Sequence, residues 1–192
     1  MTIKEHIEHI INIAFKRVSN AFDEPHTSHL IFPVYRDERG GKIRVSEQEM
    51  RFAFVESFIE YVNAEKLGWH YGVEVPTKDK YSFGEQEPCI SETGRSAMFD
   101  LAIYSEQLNL ICLIEFKSNN PALFAYQKDY VKLLNPKEGE LDVLRYFIQI
   151  VEHSDDGTEK SIKDKYTMAD DNSNIKVVTK TYSLEKGKLI CE

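Results

Sequence analysis

Residues 110–117, Leu110-Ile111-Cys112-Leu113-Ile114-Glu115-Phe116-Lys117 (LICLIEFK), decide how this chain is read. Five apolar residues lead into a carboxylate and an ammonium two positions apart. A run this apolar predicts a buried strand, and a charge taken out of water without a partner is costly enough that it usually neutralises. Side chains alternate across a strand, so Glu115 and Lys117 share a face with Leu113 while Ile114 and Phe116 point the other way. Both charges therefore act on one spot, and something must hold them there.

The preceding apolar segment, Ala97–Tyr104 (AMFDLAIY), carries one charge, Asp100. The polar Ser105-Glu106-Gln107 between the segments makes a hairpin the simplest connection. Pairing Tyr104 with Ile111 sets Asp100 opposite Glu115, about 5 Å away. Two carboxylates at that distance repel unless a cation intervenes. Oxygen donors favour a hard ion, Mg2+ or Mn2+, over zinc. Lys117 would then stand beside the metal-bound water.

Outward from this hairpin, residues 2–22 have Ile3, Ile7, Ile10, Ile11, Ala14, Phe15, Val18 and Phe22 at helical spacing. Residues 29–45 read as two short strands around Arg39-Gly40-Gly41. Ser46 and Glu49 form a capping box that opens a helix with the apolar stripe Phe52, Val55, Ile59 and Val62. A strand follows around residues 70–76, and the polar stretch 77–95 reads as a surface loop, a plausible flap. After the hairpin, Leu123, Tyr126, Tyr130 and Leu133 mark a helix and Tyr146–Val151 a strand. The charged stretch from Ser154 to Asn174 is expected as a short surface helix between loops. Two edge strands close the chain. The order of elements suggests a mixed sheet flanked by helices.

The 192 residues suit one domain, and 42% hydrophobic with 29% charged residues is the balance of a globular protein. A net charge of −8 argues against indiscriminate coating of nucleic acid, but not against a cleft lined by a few basic residues. No apolar run approaches the roughly 20 residues needed to span a bilayer, and no basic segment followed by an apolar core opens the sequence, so a cytoplasmic location is expected. Cys89, Cys112 and Cys191 have no zinc-like spacing. His26 and His29, and Asp155-Asp156-Gly157, lack the further ligands of a metal site.

The pattern D-x14-E-x-K, carried by Asp100, Glu115 and Lys117 on a hairpin followed by a helix, resembles the PD-(D/E)XK nuclease superfamily, with Phe99 where the family name has proline. The resemblance spans Ser46 to Leu134. It implies an α/β restriction-endonuclease-like fold, a mixed sheet with an αβββαβ core over residues 46–152. An N-terminal helix and hairpin would be added over 1–45, and a C-terminal extension over 153–192. It implies metal-dependent phosphodiester hydrolysis of nucleic acid, DNA ahead of RNA, in a setting such as restriction, defence or repair. Asp100, Glu115 and the main-chain carbonyl of Phe116 would hold Mg2+ or Mn2+, and Lys117 would orient the nucleophile. Arg95, Gln127 and Lys128 would contact phosphates, and a homodimer would suit double-strand cutting. A helical glutamate is implied as well. Glu49 and Glu56 fall on the stripe of Phe52 and Ile59, and Glu49 is the choice, with Glu56 and Glu47 as alternatives. The competing use of Glu49 is its capping box. The competing use of the charged trio is a partly buried salt bridge, and that of the fold a binding module without catalysis.

Overall fold

Thr2 and Glu5 close a capping box that starts helix α1 (Ile3–Asp23), and its apolar spacing buries Ile7, Ile10, Ile11, Ala14, Phe15 and Val18 as expected. The computed structural model describes residues 1–37, 40–84, 87–167 and 174–191. Strands β1 (Val34–Asp37) and β2 (Gly40–Ile43) pair as a separate two-stranded ribbon. Of the turn expected at Arg39-Gly40-Gly41, Gly40 pairs with Asp37 and Gly41 with Arg36, so both glycines are strand residues, and Arg39 lies outside the described residues.

Helix α2 (Glu47–Ala64) buries part of the expected stripe, Val62 in the core and Val55 packed against it, but not the rest. Met50, Ala53, Phe54, Ser57, Phe58 and Tyr61 turn inward, while Phe52 and Ile59 are 61% and 42% exposed. The helix is apolar on two sides. The side with the small residues Ala53 and Ser57 packs because it lets α1 approach, with Arg17 of α1 donating to Ser57 Oγ.

The main sheet is seven-stranded. It is built from β3 (His70–Ser82), β4 (Cys89–Ile90), β5 (Arg95–Tyr104), β6 (Leu110–Ser118), β7 (Leu144–Val151), β8 (Val177–Ser183) and β9 (Lys188–Cys191). Their spatial order is β4-β3-β5-β6-β7-β8-β9. Strands β3, β5 and β6 are antiparallel neighbours. The β6–β7 and β7–β8 pairs are parallel and are joined through α3 (Leu123–Leu133) and α4 (Asp156–Tyr166). The mixed α/β sheet is as expected, with two differences. Much of the expected loop at 77–95 is strand, because β3 runs on to Ser82, β4 pairs with its end and β5 already begins at Arg95. Of the two closing strands expected at an edge, β8 lies inside the sheet and β9 is the edge opposite β4.

Polar residues suffice for the far half of β3 because that segment is held through its backbone. Pro76 cannot donate, and the β3–β5 ladder shifts between Pro76 and Lys80. There Thr77 Oγ1 accepts from Ala97 N and donates to Asp79 O, while the buried Glu138 carboxylate accepts from Lys78 N, Asp79 N and Tyr81 Oη. Helices α1 and α2 cover one face, over Leu101, Ile103, Cys112, Ile114 and Phe116. Helix α3 covers the other, over Phe99, Ala102, Leu113 and Phe147, with α4 beside it. No helix among the described residues is long and apolar enough to cross a membrane.

Candidate active site

Leu101 pairs with Ile114, Ala102 with Leu113 and Ile103 with Cys112, and continuing that register sets Asp100 opposite Glu115. The expected Tyr104–Ile111 pair does not form, because a bulge moves Tyr104 onto Leu110. Past Leu101 the β5–β6 ladder opens, and Phe116 N donates to Asp100 Oδ2 at 2.8 Å. The ladder on the other side is interrupted at the same level: β3 pairs Val73 with Leu101 and Val75 with Phe99, and Glu74 between them has φ +49°. Asp100 thus lies in a fork of the sheet, with Arg51 Nη1 4.0 Å from its Oδ1.

Glu115 and Lys117 lie on the α3 side with Leu113, and α3 answers them with two charges of its own. Lys132 Nζ lies 2.5 Å from Glu115 Oε1, 3.2 Å from Asp129 Oδ1 and 2.9 Å from the Met98 carbonyl. Lys117 Nζ lies 2.7 Å from Asp129 Oδ2 and 3.3 Å from Glu47 Oε1. Asp129 is therefore shared by two ammonium groups, and Lys117 pairs with Asp129 and Glu47 rather than with Glu115. The Lys132 and Glu115 side chains are 7% and 3% exposed. Burial pushes the Glu115 carboxyl well above its ordinary range, against the pull of Lys132. Burial works against the charged forms of Lys117 and Lys132, yet Asp129 with Glu47, and Glu115 with Asp129, hold their protons more tightly than usual. Burial likewise raises Glu47, opposed by Lys117.

Glu115 and Lys117 are thus linked through Lys132 and Asp129 into one charged cluster, and Asp100 lies beside it, near enough to help raise the Glu115 carboxyl. Glu49 is not brought to Lys117: its Oε2 accepts from Ser46 N at 2.9 Å and lies 2.5 Å from Ser46 Oγ, so the capping box uses it. The helical acid at Lys117 is Glu47, and Glu56 is taken by Arg17 at 2.9 Å. Arg95 and Lys128 line a cleft of about 370 Å3 with Phe83, Met98, Asp129 and Lys132, which makes the cleft continuous with the cluster. Gln127 points elsewhere, donating to Glu87 at 3.0 Å beside a separate pocket. Asp129 and Lys132 were not expected. Both are buried beside Tyr126, Tyr130 and Leu133, a burial that the sequence of a charged helix does not announce.

Among the described residues no three His, Cys, Asp or Glu side chains form a group that could hold a metal. A divalent ion at the fork would rest on Asp100, Glu115, the Phe116 carbonyl and water. These all-oxygen donors suit Mg2+ or Mn2+ in type. No protein-family model matches the chain, and neither does any curated protein.

Proposed function

We propose that this chain is a metal-dependent nuclease on a restriction-endonuclease-like fold, hydrolysing phosphodiester bonds of nucleic acid, with DNA ahead of RNA as substrate. The observation that carries the reading is the fork between β5 and β6. There Glu115 and Lys117 join one charged cluster, with Asp100 of the neighbouring strand beside it, next to a cleft with basic walls. The order α2, β3, β5, β6, α3, β7 also agrees with an αβββαβ core once the short β4 is set aside.

Asp100, Glu115 and the Phe116 carbonyl would hold Mg2+ or Mn2+. Such an ion supplies Lewis acidity toward a phosphate oxygen and lowers the pKa of bound water. Lys117 keeps its proton because Asp129 and Glu47 flank it, and so offers a fixed positive charge where negative charge builds in the transition state. Arg95 and Lys128 hold flanking phosphates without reading sequence. The test is a cleavage panel of single-stranded, double-stranded and branched DNA and RNA in Mg2+ or Mn2+. Wild type is expected to cut at least one substrate and Asp100→Ala none.

One observation favours a second reading, a binding module without catalysis: Glu115 is already neutralised by Lys132. Tight nucleic-acid binding with no cleavage on any substrate would decide for it.

A further inference from the structure

The ammonium of Lys132 has the surroundings of a bound cation. Three oxygens face it, from Glu115, Asp129 and the Met98 main chain, at 2.5, 3.2 and 2.9 Å. That mixture of carboxylate and main-chain carbonyl is what a hard divalent ion uses. Of the metal donors proposed above, Glu115 is the one that Lys132 already occupies.

The cluster and the groups beside it hold five carboxylates, Glu47, Glu74, Asp100, Glu115 and Asp129, against three cations, Arg51, Lys117 and Lys132, so there is charge room for a divalent ion, while the position at Glu115 is already filled. Lys132 also has somewhere to go, because it lines the 370 Å3 cleft that holds Arg95 and Lys128.

We infer that Lys132 is a built-in counter-ion occupying the cation position at Glu115, and that a divalent metal binds by displacing its ammonium into the cleft. The inference rests on the metal reading of the site and assigns Lys132 a competing role within it. Lys132 is a positioning residue here, since it acts on the metal's donors.

The experiment is calorimetric titration of Mg2+ and Mn2+ into wild type, Lys132→Met, Lys132→Gln and Asp100→Ala, with thermal unfolding of each protein with and without metal. Methionine keeps the stem and removes the competitor. Glutamine keeps a donor for the Met98 carbonyl in case the methionine variant folds poorly. Both variants are expected to melt below wild type without metal, to bind the ion about tenfold more tightly, and to show the larger metal-induced rise in melting temperature. Equal or weaker metal binding by both Lys132 variants, with wild type binding and Asp100→Ala failing to bind, would overturn the displacement and leave the metal site standing. No binding by wild type or by either Lys132 variant would overturn both.

Discussion

Lys117 holds its ammonium between Asp129 and Glu47, so its replacement affects two properties that can be separated. Lys117→Met is expected to lower cleavage by about 10²–10³, the usual cost of losing one group that stabilises transition-state charge. It is also expected to cost about 2 kcal/mol of stability through the lost charged contacts. Single-turnover cleavage at a temperature where the variant is fully folded tells the two apart, and a folded variant that cuts at the wild-type rate would remove Lys117 from catalysis. Asp100, Glu115 and Lys117 were legible in the sequence because a charge inside an apolar strand is an anomaly visible to the eye. Glu47 was harder to choose. It and Glu49 both lie in the first turn of α2, and only the use of the Glu49 carboxylate by Ser46 settles which of them is free to reach Lys117. Asp129 and Lys132 resemble ordinary helix-surface charges until β6 is packed against them.

At the scale of elements, α2 shows why periodicity alone left two answers. Phe52 and Ile59 form a stripe as regular as that of Phe54, Phe58 and Tyr61, and the choice depends on what lies opposite. Phe54→Ala is expected to destabilise the fold by about 3–5 kcal/mol, and Phe52→Ala to stay within about 0.5 kcal/mol of wild type. Chemical denaturation of the two variants checks this, and comparable losses would mean that the buried face is misassigned. Helix α1, the β5–β6 hairpin and α3 were legible because their apolar spacing allows one reading. The far half of β3 was not. Lys78, Asp79 and Lys80 carry no apolar pattern, and that segment is fixed by Thr77, by the Glu138 carboxylate and by pairing with residues near the start of β5. A reading based on side chains does not register a strand secured through its main chain.

Across the whole molecule, the two layers of helix bury tyrosines whose ionisation the fold resists. Burial pushes Tyr126 up to about 12, and Tyr81, Tyr146 and Tyr166 further still. A phenol whose folded pKa lies above its unfolded value stabilises the fold fully below pH 10, and that contribution is lost as pH rises through the folded value. Each such group removes about 1.4 kcal/mol per pH unit in that window. Alkaline unfolding is therefore expected between about pH 10 and 12, with these four of the ten tyrosines ionising only as the far-ultraviolet dichroism collapses. Ionisation of all ten near pH 10 with the dichroism intact would contradict the packing. The sheet also has a seam. Strand β6 joins its antiparallel part, made from the earlier part of the chain, to a parallel part that requires α3 and α4. Seen in the order of synthesis, Asp100 and Glu115 emerge from the ribosome before Asp129 and Lys132 do. A nascent chain that has folded only as far as β6 therefore carries two neighbouring carboxylates without the α3 groups that balance them, and the charged cluster is completed only when the second half docks.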